Sequence, residues 1–316
     1  MILQGDAIEQ LRTLADESVN MCITSPPYYG LRDYGVDSQI GLEDSVDEYI
    51  YKLCNVFDEV KRVIRKDGTC WVNIGDSYNS TNRSSKADKA YWDRVGYDKS
   101  FDAREALPHA DRKPMKSIPT KSLIGVPFRF VLEMMNRGWI LRNTIIWHKP
   151  SCMPSSAKDR YTVDFEYLFF FSKNNKYYFK QQLEPCKSND YDKARMKKGR
   201  VKYDGKYGND MGQAGVLGNG KTRNIRTVWS INPSRVKEAH FATFPEQLIE
   251  GPIDAGCPVG GVVLDPFGGS GTTGIVANRQ GKKYILIELN PEYIEIMKKR
   301  INTNVGVFFE CGNVVT

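Results

Sequence analysis

Asp265-Pro266-Phe267-Gly268-Gly269-Ser270-Gly271-Thr272-Thr273 follows the apolar run Gly261-Val262-Val263-Leu264 and leads into a stretch of helical character that reaches residue 280. That is a strand, a glycine-rich turn and a helix start, the unit of an open α/β sheet that meets ligands at its strand ends. Glycines let the backbone turn tightly and let a ligand approach with no Cβ in the way. The helix start presents N–H groups to an anionic group. Far upstream, Thr24-Ser25-Pro26-Pro27-Tyr28-Tyr29 follows a second apolar strand, Val19-Asn20-Met21-Cys22-Ile23, and ends it in a rigid polar and aromatic turn.

Outward from these two turns, short apolar runs alternate with amphipathic stretches, which reads as α/β with a largely parallel sheet. Strands are expected over 1–4, 19–24, 69–74, 139–147, 164–171, 261–264 and 283–288. Helices are expected over 7–14, 122–136, 244–255 and 291–301. A longer one over 46–64 carries Val46, Ile50, Leu53, Val56, Phe57, Val60 and Ile64 at helical spacing, with Lys66-Asp67-Gly68 as its stop. Lys298, Lys299 and Arg300 close the last helix, where cations suit the dipole. The segment 76–121 is polar, has charges of both signs and reads as a mobile insertion. No internal repeat is visible.

At 316 residues, 41% hydrophobic and 26% charged, the chain has the composition of an ordinary globular protein with a substantial core. No apolar run approaches the roughly 18 residues a membrane span needs. The start, Met1-Ile2-Leu3-Gln4-Gly5-Asp6, has no signal-peptide character. The seven cysteines lack a CxxC pair, which argues against a zinc site or disulfide framework and for reduced thiols inside a cell. The net charge of +7 is unevenly spread: residues 173–238 hold 16 Lys or Arg against 6 Asp or Glu. That stretch is also rich in glycine and tyrosine, which suits a surface module facing a polyanion.

The 268–271 turn does not fit the GxxxxGK[ST] phosphate loop, which disfavours nucleoside triphosphates. Glu288 ends the next strand about 20 residues on, where an acid accepts hydrogen bonds from ribose hydroxyls. Taken together, the two turns resemble those of the amino-methylating DNA methyltransferases. The order, Ser-Pro-Pro-Tyr before the glycine turn, is similar to that of the family's permuted beta group.

The resemblance implies a Rossmann-like S-adenosylmethionine-dependent methyltransferase fold, a doubly wound α/β sheet of seven strands with one antiparallel, and an inserted target-recognition region. It assigns Asp265, Phe267, Gly268, Gly269, Ser270, Gly271 and Thr272 to the cofactor motif and Glu288 to its ribose. Gln4-Gly5-Asp6-Ala7 matches the segment that meets the adenine, with Asp6 and Ala7 in contact. His240-Phe241-Ala242-Thr243-Phe244-Pro245 resembles the element over the methionine end, through Thr243 and Phe244. The division expected is 1–172 as the catalytic half with the 76–121 insertion, 173–238 as target recognition, and 239–316 as the cofactor half. Double-stranded DNA is the implied partner, in the cytoplasm of a prokaryote or a phage host. A separate cognate endonuclease, and monomer or homodimer, stay open.

Methyl transfer to an exocyclic amine explains the Ser-Pro-Pro-Tyr turn. The amine lone pair is delocalised into the ring, and acceptors that hold its N–H bonds favour a nucleophilic, more tetrahedral nitrogen. Ser25 offers a hydroxyl and Pro26 a carbonyl, which successive prolines, Pro26 and Pro27, aim by fixing φ. A base in a duplex must be flipped out to reach them, and Tyr28 is the natural stacking face, supported by Tyr29. In the basic stretch, Lys197, Lys198, Arg200, Lys202, Arg223 and Arg226 are candidates for DNA phosphates. Pro185-Cys186 lies away from any strand-to-turn context and does not read as a ring-carbon nucleophile. His148-Lys149-Pro150 reads as a capped strand end, with a reach into the pocket as the other option.

Family members with Ser at position 25 lean toward N4 of cytosine, those with Asp or Asn toward N6 of adenine, so the first is favoured. An RNA or protein-amide methyltransferase, which uses related Asn-Pro-Pro-Tyr turns, and a catalytically silent nucleic-acid binder are the remaining readings.

Overall fold

The chain opens with β1 (Ile2–Gln4) and α1 (Ala7–Arg12), whose start is set by Asp6: its Oδ1 accepts from the N–H groups of Ile8 and Glu9. After β2 (Val19–Thr24), α2 (Val46–Val63) starts at Ser45, whose hydroxyl accepts from Glu48 N at 3.1 Å, the spacing of a capping box. Lys66-Asp67-Gly68 does not stop this helix. Ile64 already pairs with Val19, so the chain passes directly into β3 (Ile64–Ile74), and Gly68 lies inside the strand. Then α3 (Val126–Asn136) begins later than the sequence suggests, because the Asp76 carboxylate accepts from Gly125 N and Val126 N and fixes the first turn there.

β4 (Ile140–His148), β5 (Phe165–Ser172), β6 (Leu183–Pro185), β7 (Thr222–Asn224) and β8 (Val228–Ser230) follow, then α4 (Glu246–Gly256), β9 (Val262–Asp265), α5 (Thr272–Arg279), β10 (Lys283–Glu288) and α6 (Pro291–Asn304). This computed structural model describes residues 1–33, 35–36, 39–80, 114–185, 222–233 and 244–304. The ends of the 76–121 insertion are tied to the core, where buried Asn79 donates to the carbonyls of Met115 and Ile118. Residues 81–113 lie outside the described residues, and so does the expectation that they are mobile.

Among the described residues the main sheet has eight strands in the order β1-β10-β9-β2-β3-β5-β4-β8, against the seven expected. β5 is the one antiparallel member, as the resemblance implied. The additional strand is β8, which pairs in parallel with β4 through Ile146↔Val228 and Trp147↔Trp229. It falls inside the stretch read as a surface module, and the apolar Val228 and Trp229 were the signal for it.

Strand alternation separates two hydrophobic layers. Cys22, Cys70, Val72, Ile74, Phe169 and Phe171 face α2 and α3, with Phe57 and Phe130 between them. Met21, Ile23, Trp71, Leu168 and Phe170 point to the other face, against Leu248, Ile249 and Ile253 of α4 and Val276 of α5. Trp71 stacks on Phe170 at 4.0 Å between ring centroids, so the layers are filled close to the sheet. Arg300 does not act as a charge at a helix end: α6 runs on to Asn304, and Arg300 is buried inside it.

The chain divides into two compact units, Met1–Phe179 with Thr227–Thr316, and Lys180–Arg226. In the second, β6 and β7 form an antiparallel pair, and Arg223 Nε donates to Glu184 Oε1 across it at 2.7 Å. No described helix is long and apolar enough to cross a membrane.

Strand order reverses between β9 and β2. From β9 the chain moves outward to β10, and from β2 it moves the other way to β3. In an open α/β sheet the crevice at such a reversal is where ligands bind, beyond the carboxyl ends of the strands. β2 ends at Thr24 and β9 at Asp265, and Thr24 Oγ1 donates to Asp265 Oδ1 at 2.6 Å. Both turns singled out in the sequence therefore leave the sheet side by side.

Candidate active site

A cavity of about 380 Å³ opens beyond β9 and β2, a size typical of small-molecule sites. Ser25, Pro26, Pro27 and Tyr28 line it at one end. Asp6, Ala7, Phe244, Asp265, Phe267, Gly268, Gly269, Ser270, Thr272 and Glu288 line the rest. Gly271 is not in the wall. It caps α5 at φ +83°, and a Cβ there would stand 2.6 Å from Met297 Cγ, so only glycine suits the position. Thr243 lies outside the described residues, as do Lys197, Lys198, Arg200 and Lys202. Arg223 sits in β7, and Arg226 is exposed just after it.

The glycine turn is held from several sides. Glu288 Oε2 accepts from Gly269 N at 2.8 Å and Oε1 from Asn290 N at 2.9 Å, and burial raises its pKa. Each oxygen keeps a second lone pair for a donor in the cavity. Arg300 Nη1 donates to Ser270 O at 2.6 Å and also to the Ser270 hydroxyl. Asp265 is engaged by the protein itself. Its oxygens accept from Thr24, Thr273 and Phe267 N, and burial pushes its pKa up to about 6 against those hydrogen bonds. It clamps the turn to the sheet while lining the cavity. Asp6 likewise spends one oxygen on the start of α1.

The Ser-Pro-Pro-Tyr turn is braced by α2, where Tyr49 Oη donates to the Pro27 carbonyl at 2.8 Å. Tyr29 is buried against Tyr49 and supports the turn from inside. Tyr28 Oη donates to Glu166 Oε2 at 2.7 Å, and Asn73 Nδ2 donates to the same oxygen at 3.1 Å. Burial, and then the Glu166 carboxylate, hold the Tyr28 phenol well above its ordinary pKa, with the Ser25 hydroxyl opposing. Tyr28 is thus a fixed neutral ring.

Asn73, Trp147, Lys149 and Glu166 also line this end; only Lys149 was weighed from the sequence, as the pocket-reaching option for 148–150. Their signals were faint: a lone amide in the buried run Thr69–Ile74, a lone acid in Phe165-Glu166-Tyr167-Leu168-Phe169-Phe170-Phe171, and a lysine at a strand end. His148 follows the capped-strand reading, with Nδ1 3.0 Å from Ser230 Oγ and Nε2 3.5 Å from Asp164. Its neighbour Lys149 turns to the cavity instead.

The cavity offers a carboxylate at Glu288, an apolar wall at Phe244 and Phe267, and no Cβ at Gly268 and Gly269. Comparison with known proteins agrees. The family model for DNA methylase matches residues 19–299. The chain is 41% identical over 307 residues to the type II methyltransferase M.Cfr9I of Citrobacter freundii, covering 96% of this chain and 89% of that one. It is 39% identical over 304 residues to M.SmaI of Serratia marcescens, covering 95% and 90%. Among solved structures, the PvuII DNA methyltransferase (cytosine-N4-specific) superposes with a TM-score of 0.62 at 21% identity, covering 99% of this chain and 87% of that one. The Thermus thermophilus protein TTHA0409, solved in complex with S-adenosyl-L-methionine, gives 0.58 at 22%, covering 97% and 96%. At such identities these two structures speak for the fold alone.

Proposed function

The chain belongs to the DNA methylase family, and from that premise we propose that it is a type II modification enzyme that methylates N4 of a flipped cytosine in duplex DNA. Its methyl donor is S-adenosylmethionine. One observation carries the reading: a single cavity at the strand-order reversal joins the glycine turn to the Ser-Pro-Pro-Tyr turn.

When bound, the donor supplies an electrophilic methyl group on a sulfonium. Glu288 would accept from its ribose hydroxyls, the 268–270 turn and Phe244 would hold its amino-acid end, and Asp6 with Ala7 would bound its adenine. At the other end Tyr28 stacks on the flipped base. The Pro27 carbonyl already accepts from Tyr49, and the acceptors assigned to the amine are Ser25 Oγ and the Pro26 carbonyl. Held by both, the nitrogen lone pair is freed from the ring and turned toward the methyl group. Methyl transfer would exchange the donor's C–S bond for a new N–C bond and release the nitrogen's surplus proton to solvent.

Ser25 supports cytosine over adenine. The basic residues of 173–238, with Lys197, Lys198, Arg200, Lys202 and Arg226 foremost, hold DNA phosphates and frame target recognition, while Arg223 is paired with Glu184. Action in the cytoplasm beside a separate cognate endonuclease fits the reading. The test is digestion of DNA from cells expressing the protein, with mass spectrometry of the nucleosides. N4-methylcytosine is the expected product. N6-methyladenine as the sole product overturns the choice of base, and no methylated base overturns the activity.

A further inference from the structure

At the acceptor end of the cavity, Lys149 Nζ forms an ion pair with Glu166 Oε1 and stands 4.4 Å from the centroid of the Trp147 ring. The other oxygen of Glu166 takes Tyr28 Oη and Asn73 Nδ2. Gly75 makes room for this arrangement: a Cβ there would stand 3.0 Å from Tyr28 Cε2 and 3.3 Å from Glu166 Cγ. Lys149 and Glu166 keep only 20% and 17% of their side-chain surface exposed, so the ammonium is fixed, largely desolvated and at the cavity wall. One of its donors goes to Glu166. An ammonium has three.

We propose that Lys149 is the specificity-determining residue of the base pocket and donates to N3 and O2 of the flipped cytosine, with Glu166 as the positioning residue that aims it. The inference rests on the reading that a flipped cytosine occupies this end. Beside its amine, cytosine carries two acceptors on one edge. Adenine carries one, N1, followed by a C–H. A site built to hydrogen-bond a substrate group discriminates strongly against an analogue lacking it, because the buried donor is then left unpaired. Glu166 links the edge reader to the stacking ring, since one carboxylate holds both Lys149 and Tyr28.

The test uses duplexes carrying the protein's own target site, with cytosine or 3-deazacytosine (N3 replaced by C–H) at the methylated position. Single-turnover rates are compared for the parent, Lys149→Met and Lys149→Gln, the last keeping a donor for Glu166. The ratio of cytosine to 3-deazacytosine rates should fall about tenfold or more in both variants, as for a lost charge-assisted hydrogen bond. Comparing ratios cancels the intrinsic reactivity of the analogue. Donor affinity by calorimetry should match the parent's. A ratio unchanged in a variant that still binds the donor overturns the proposal. Should Lys149→Met fail to fold, Lys149→Gln decides alone. Failure of the underlying reading is seen separately, as a parent product other than N4-methylcytosine.

Discussion

Tyr49 Oη donates to the Pro27 carbonyl at 2.8 Å, so a residue inside α2 sets the direction of the Ser-Pro-Pro-Tyr turn. Proline fixes φ but leaves ψ free, and this bond settles the remaining freedom on one side of Tyr28. Tyr49→Phe removes only the hydroxyl. It should cost about 1 kcal/mol of stability and lower the single-turnover methylation rate, with donor affinity unchanged. A parental rate in the variant would mean that the prolines alone hold the turn.

Arg300 supports the glycine turn from behind. Its guanidinium, buried in α6, donates to the Ser270 carbonyl and hydroxyl. Arg300→Met should weaken S-adenosylmethionine binding by roughly 1–3 kcal/mol, the scale of hydrogen bonds to a charged group. Arg300→Lys should rescue little, because one ammonium does not reproduce the planar fork. Calorimetry on the folded variants measures both effects, and full affinity in Arg300→Met would make the contact incidental.

Glu288→Ala should weaken donor binding by roughly 1–3 kcal/mol, the cost of a lost charge-assisted hydrogen bond. The side chain also holds Gly269 N, so part of that loss comes from a loosened turn. Glu288→Gln separates the two contributions: its amide oxygen can keep Gly269 N in place. Unchanged affinity in a folded Glu288→Ala variant would remove Glu288 from the site.

What the sequence made legible followed strong periodicity. Val19–Thr24, Lys283–Glu288 and the strand–turn–helix unit at 262–279 could be read because apolar runs and glycines are local signals. Local signals also misled. Lys66-Asp67-Gly68 looks like a helix stop, yet strand pairing at Ile64 overrides it. Arg300 reads as a surface charge from composition, and only the packing of α6 on the turn turns it inward. Glu166, Asn73 and Tyr49 reach the site through contacts across 138, 45 and 22 residues of sequence, which no pattern within one element reveals.

Asp265 should leave a mark on the pH dependence of stability. Burial raises its pKa to about 6 in the folded protein, against about 4 in the unfolded chain. A raised carboxylate pKa stabilises the fold fully below the unfolded value and loses that contribution as pH rises through the folded one. The window is therefore about pH 4 to 6, and the loss is on the order of 3 kcal/mol. Asp265→Asn cannot ionise, so its stability should fall less than the parent's between pH 4.5 and 7.5 in urea titrations. Parallel profiles would mean that Asp265 ionises normally.

Affinity for duplex DNA should fall steeply with salt, since each Lys or Arg that neutralises a phosphate releases a counterion. The basic excess of 173–238 is where the slope should originate. Replacing Lys197, Lys198 and Arg200 together with Ala should reduce the slope of log affinity against log salt by roughly 2–3, at about 0.9 per contact on B-form DNA. Arg223 is a different case. Its guanidinium is already paired with Glu184 at 2.7 Å, so a phosphate must compete with that carboxylate. Arg223→Ala should change the slope least, and Glu184→Gln should steepen it by freeing the cation. A parent slope near zero would exclude the basic stretch as the DNA surface. A large effect of Arg223→Ala would instead show that DNA displaces Glu184 from its partner.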